Sequence, residues 1–219
     1  MIFKYYGHSF FTLTLESGRV IALDPYGDFY QYPKRAVAAD VCLISHHHHD
    51  HDGVSSLLPG ARMIDTAGVH RLEDCCVTSV PTWHDGKRGA LRGANLIHVV
   101  EAEGIRVAHA GDLGHVPEPN QLRQIGRVDV LLLPVGGYYT IDAQTALEVM
   151  RLIRPVTTIP MHYRTAYNEE MPIAALGDFL QLAKAEDTQM PLARIAKADV
   201  SERPRVFTLA IRPAREDEA

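Results

Sequence analysis

The apolar run 41–44, closed by Ser45, leads into His46, His47, His48, His49, Asp50 and His51, so five of the chain's twelve histidines occupy six positions. No other segment constrains the fold as much, because imidazoles crowded behind a buried strand need either a common task or open solvent. Tags sit at chain ends, and this run begins inside a pattern of strands, which disposes of that origin. A solvated polar loop is the plain alternative. Imidazole is a common zinc ligand, and carboxylate oxygen serves the same ion. In extended backbone alternate side chains point the same way. His46 and His48 can therefore clasp one ion while His47 and His49 face elsewhere. Asp50 and His51 are adjacent, where the chain turns, and aim more easily at a second ion nearby. The spacing already hints at two metals.

The surrounding pattern is that of a layered α/β protein. Residues 2–7, 9–17 and 19–27 are short apolar or alternating runs, with Ser17 and Gly18 suited to a hairpin turn. Residues 39–45 read as a strand whose apolar centre, 41–44, is unbroken, as a strand buried on both faces would be. A brief helical piece over 53–60 stops at Pro59 and Gly60, and strands resume over 75–84, 94–104 and 105–112. The second half alternates: helices over 118–126, 142–153 and 172–186 separate strands over 128–137, 155–163 and 205–213, and 215–219 make a frayed acidic end. No repeat or linker divides the 219 residues, so one domain over 1–219 is expected, with two sheets covered by helices.

Composition narrows the function. A net charge of −5, with Lys and Arg scattered, offers nucleic acid no welcome. Cys42, Cys75 and Cys76 are an odd set with two neighbours, which suits reduced thiols rather than a disulfide framework. No basic-then-apolar leader is visible and no apolar run reaches about 18 residues, so a soluble cytoplasmic protein with no membrane partner is expected.

His46-x-His48-x-Asp50-His51, with Gly53 behind it, resembles the H-x-H-x-D-H signature of the metallo-β-lactamase superfamily. The other positions of that pattern occur in order. His84 closes "SVPTWH", Asp112 lies in "AHAGDLG" and His162 in "TTIPMHY". Together with "YYGHSFFTLTL", "VIALDPY" and "PVGGYYTIDAQTA", they are most similar to the branch containing the ascorbate-6-phosphate lactonase. Ser45 stands where threonine is common, a mild departure. The resemblance implies an α/β fold, a four-layer αβ/βα sandwich (the metallo-β-lactamase fold). It implies that His46, His48 and His84 hold one ion, that Asp50, His51 and His162 hold another, and that Asp112 bridges them. The two divalent ions are expected to be zinc, with manganese or iron acceptable to the same donors. Asp50 is the expected catalytic proton carrier.

The resemblance further implies a hydrolase in which a hydroxide shared by the ions attacks a small ester-like substrate, with a lactone preferred. A phosphodiesterase of the same superfamily is the alternative, and a non-catalytic metal-binding protein a third reading. Nucleases of the superfamily usually carry an inserted domain, and flavodiiron oxidoreductases usually have glutamate at the position of His48. For the substrate, backbone N–H groups around Gly137, the rings of Tyr138 and Tyr139, and His8 are the candidate contacts, each with a plain structural role beside it. His47 and His49 are expected around the ligands rather than among them, and His109 in the sheet core. A small molecule is the expected partner, and a homo-oligomer is compatible with the branch.

Overall fold

The computed structural model describes residues 1–201 and 204–212, so the expected acidic end at 215–219 lies outside the described residues. The first sheet contains β1 (Ile2–Gly7), β2 (Phe10–Thr14), β3 (Val20–Leu23), β4 (Val41–Leu43), β5 (Arg62–Ile64) and β12 (Ala193–Arg194), in the order β12-β1-β2-β3-β4-β5. The second contains β6 (Gly68–Arg71), β7 (Cys76–Trp83), β8 (Ala94–Ala102), β9 (Ile105–His109), β10 (Val130–Pro134), β11 (Thr157–Met161) and β13 (Arg205–Val206), in the order β13-β11-β10-β9-β8-β7-β6. Both sheets are mixed. Hairpins and the long-range β1–β12 pair make the antiparallel parts, while β3-β4-β5 and β9-β10-β11-β13 pair in parallel.

The alternation of the first strands sorts their side chains between two cores. Phe3 and Tyr5 of β1 and Phe11 and Leu13 of β2 enter the main cluster between the sheets. They pair across the ladder, and the Tyr5 and Phe11 rings stack at 4.6 Å. Tyr6, Phe10, Ala22 and Cys42 point the other way, into a second cluster with Tyr26, Phe29, Tyr32, Met171 and Ile173. That outer cover comes largely from the irregular stretch 24–40. β4, β10 and β11 are buried at every position; the first two are unbroken apolar runs, while β11 buries Thr157 and Thr158 as well.

Three α-helices occur among the described residues: α1 (Pro119–Ile125), α2 (Ala143–Ile153) and α3 (Leu176–Ala183). They pack on the main core through Ile125, through Ala146 and Val149, and through Phe179 and Leu180. Asp142 caps α2 by accepting the Thr145 N–H at 2.8 Å. The helix expected over 172–186 begins only at Leu176. Ahead of it, Ala174 N–H donates to Gly136 O at 2.7 Å and Ala175 bridges to Arg164, which holds that stretch extended. The piece expected over 53–60 is a single 3-10 turn at Val54–Ser56. The last strand shrinks to β13, with isolated bridges at Leu209 and Ile211. No helix among the described residues is long and apolar enough to cross a membrane.

Candidate metal centre

Strands of both sheets end at one rim of the sandwich, and the side chains that follow them meet there. β1 delivers His8, β3 Asp24, β4 the run 45–51, β7 His84, β9 Asp112 and β11 His162. Of these, β3, β4, β9 and β11 belong to the parallel parts, whose carboxyl ends are where α/β sheets gather ligand sites. Past β4 the chain tightens into one turn, with the N–H groups of His51 and Asp52 both donating to His48 O, at 2.8 and 3.0 Å. This swings Asp50 and His51 round beside His46 and His48. Gly53 makes the exit feasible, because a Cβ there would lie 1.9 Å from Gly27 N.

Three donor groupings result among the described residues, one of which, Asp24 with His46 and His51, shares members with the other two. In the first, the His46 ring centroid is 4.6 Å from that of His48 and 4.8 Å from that of His84. The second joins Asp50, His51 and His162 with His8. In each, one ligand atom per residue lies within 4.8 Å of the others. Asp112 touches both clusters. Its Oδ2 is 3.1 Å from His84 Nε2, 3.3 Å from His162 Nε2 and 3.9 Å from His46 Nε2, and its Oδ1 is 3.1 Å from His51 Nε2. All seven residues expected as ligands are thus brought together. His46 Nε2, His51 Nε2, His162 Nε2 and Asp112 Oδ1 are buried and have no hydrogen-bond partner. Buried polar atoms are seldom left so, and a set of them facing one spot fits a cation.

The electrostatics favour the same use. Burial pushes His46 down to about 3 and His8 to about 4, and lowers His48 as well, so these rings keep free lone pairs at neutral pH. Burial would raise Asp112 and Asp50, but the histidines around them outweigh it and hold both far below the usual carboxylate range. Burial alone would lower His51, yet Asp112, Asp50 and Asp24 raise it well above the ordinary histidine value. An ion taken up at His51 therefore displaces a proton.

The description "Beta-lactamase superfamily domain" fits residues 3–162. The chain belongs to the metallo-β-lactamase superfamily. Within it, the UPF0173 metal-dependent hydrolases are similar over most of the chain. The Thermus thermophilus protein TTHA1283 is 30% identical over 190 residues, covering 74% of this chain and 83% of that one. A relative from Anaeromyxobacter is 31% identical over 202 residues, 74% of each chain. A crystal structure from Thermotoga maritima, assigned as a Zn-dependent hydrolase of the metallo-β-lactamase superfamily, matches with a TM-score of 0.79 at 34% identity. It covers 95% of this chain and 98% of that one. Igni18, a metallo hydrolase from Ignicoccus hospitalis, shares the fold with a TM-score of 0.68 at 23% identity over 95% and 94% of the two chains.

In this superfamily member Asp24 escaped the sequence reading. It is fully buried and accepts from Ser45 N–H at 2.7 Å, Ser45 Oγ–H at 2.6 Å and His51 Nδ1–H at 2.8 Å. Ser45 Oγ in turn lies 2.9 Å from His46 Nδ1 and accepts its proton. One carboxylate thus turns a free Nε2 from each cluster toward Asp112, the role of an outer partner to a metal-bound histidine. An aspartate closing the apolar run of β3 was its only signal. His8 also acts through a neighbour: its neutral ring donates from Nε2 to Asp50 Oδ2 at 3.2 Å.

A pocket of about 380 Å³ opens over the clusters, lined by His48, Asp50, His84 and Asp112 with Phe29, Tyr30, His49, Arg92, Tyr139 and Met171. Of the expected substrate contacts, Tyr139 lines it. His8 lies buried beneath among the donors. Gly137 does not serve as foreseen, because its N–H donates to Ile141 O at 3.2 Å to close a turn. Tyr138 is 64% exposed and packs edge-on against Tyr139 outside the pocket lining. His47 faces solvent beside Asp52 and Asp65, and His109 sits in the core with Nε2–H donating to Ser9 O.

Proposed function

We propose that the chain is a binuclear metal-dependent hydrolase of small ester-like molecules, with lactone opening as its first chemistry. The observation that carries this reading is Asp112, with one oxygen toward His51 and the other toward His84, His162 and His46, amid buried nitrogens that nothing else satisfies. His46, His48 and His84 would hold one ion, and Asp50, His51 and His162 the other. Imidazole with carboxylate oxygen suits zinc, and manganese or iron as well. When bound, the two ions supply Lewis acidity and a lowered pKa for water.

The chain's own residues do the rest. Asp50 stays ionised, faces the pocket and is steadied by the His8 N–H. It takes the proton from the attacking water as the water oxygen bonds to the carbonyl carbon. It returns that proton to the departing alkoxide as the C–O bond breaks, so a lactone leaves as its hydroxy acid. Phe29, Tyr30 and Tyr139 give the pocket an aromatic wall, and its size suits a small molecule rather than a nucleic acid.

A lactone panel and bis-p-nitrophenyl phosphate, each assayed before and after chelation, test the reading. Lactone turnover is expected, lost on chelation and restored by metal. Faster cleavage of the phosphodiester would make phosphodiesterase the better reading, and a metal-loaded but inert protein would overturn the hydrolase altogether.

A further inference from the structure

The pocket holds one permanent cation that the donor clusters do not use. Arg92 lines it beside Tyr139, with the guanidinium carbon 5.6 Å from the Tyr139 ring centroid. Among the described residues no carboxylate pairs with it, whereas Arg88 of the same loop is turned away onto Glu118 at 3.2 Å. The loop is firmly built. Asp85, the residue after His84, accepts the backbone N–H groups of Lys87, Gly89, Leu91 and Arg92 at 2.7, 2.9, 2.9 and 2.8 Å. His84 N–H then donates to Gly93 O at 3.0 Å, which closes the loop on itself. A metal-donor candidate and a guanidinium are thus the two ends of one clamped loop, and both face the pocket. A planar guanidinium braced on an aromatic ring and lacking an acid offers a fork for a carboxylate or phosphate.

We propose that Arg92 binds an anionic group of the substrate, remote from the bond that is cleaved, so that the substrates are anionic esters or lactones. This rests on the hydrolase reading above. The group is a carboxylate or a phosphate monoester, carried on a body that packs against Phe29, Tyr139 and Met171. Arg92 acts by setting specificity and takes no part in the proton transfers.

The metal-loaded wild type, Arg92→Ala and Arg92→Lys are compared on the neutral ester 4-nitrophenyl butyrate and its carboxylate analogue, the mono-4-nitrophenyl ester of succinic acid. For the anionic ester Arg92→Ala is expected to raise KM by about ten- to a hundredfold with kcat little changed, the scale of an unpaired pocket charge. The neutral ester should stay within about twofold, and Arg92→Lys should fall between. Equal losses on both esters, or none on either, overturn the proposal.

Calorimetry with benzoate, phenylphosphonate and neutral benzamide separates this inference from the hydrolase reading, since it needs no turnover. Anions that merely touch the metals bind wild type and Arg92→Ala alike, and that result also overturns the proposal. Weaker binding of benzoate to the variant identifies a carboxylate site, and weaker binding of phenylphosphonate a phosphate site. Either supports Arg92 even if no ester is cleaved.

Discussion

Asp24 and Asp85 are both buried aspartates placed just after a strand, and neither is among the expected ligands, yet they organise opposite sides of the pocket in different ways. Asp24 gathers functional groups: Ser45, His51 and, through Ser45, His46. Asp85 gathers four backbone N–H groups and no side chain of either cluster. Burial works against ionisation in both. His109 and His51 overcome it and hold Asp24 well below the carboxylate range, while the backbone donors hold Asp85 at about 2. The lesson is that burial and charge alone do not assign a role. Asp24 acts on the lone pairs of the donor histidines, and Asp85 on the path of the chain that carries Arg92.

Substitution should separate the two. Asp24→Asn removes the charge that orients a ring in each cluster. It should cost about 10–100-fold in metal affinity, read as metal retained after dialysis, with a matching fall in hydrolysis. Full metal content and rate in this variant would erase the distinction.

The next effect is seen in acid. His98 is buried against Ser79, and burial holds it down at about 4 although Asp24 opposes the fall. The unfolded chain takes up this proton near the ordinary value of about 6.5. Folding is therefore unaffected by this group above that pH and loses stability as the pH falls from there towards 4, by roughly 3 kcal/mol. Chemical denaturation across this window should show a shallower slope in His98→Gln. Asp24→Asn should deepen the acid loss, and Asp85→Asn should leave it unchanged.

Asp85→Asn should lower the thermal midpoint by roughly 5 °C, through weakened loop hydrogen bonds, and raise KM for anionic esters. Its metal content should match wild type; a loss of metal there would contradict the assignment. The smallest effect belongs to His47→Ala, whose side chain is 63% exposed and outside the pocket lining. It should keep metal content and turnover within about twofold.

The sequence was legible where the rule is local. Alternation in extended chain separates His46 and His48 from His47 and His49, and the folded chain obeys it. Apolar runs marked β4 as buried on both faces and β10 as a buried strand, and both are buried at every position. The convergence of His84, Asp112 and His162 on the run came from family resemblance, since nothing local announces it. What stayed hidden depends on distant segments. Asp24 meets His51 across 27 positions, and Arg92 reaches Tyr139 from another strand end. The short strands β5, β6 and β12, of two to four residues, are too brief to show a period. Gly137 misled because a glycine pair foretells a turn without saying which N–H the turn consumes.

Each donor cluster takes members from both sheets: His46 and His48 face His84, and Asp50 and His51 face His162. A captured ion would work as a rivet through the sandwich, so its departure and the parting of the layers should register as one cooperative event. It would also proofread strand pairing. Sliding β4 by one position would point His47 and His49 inward in place of His46 and His48, and a chain folded in that register would keep no ion.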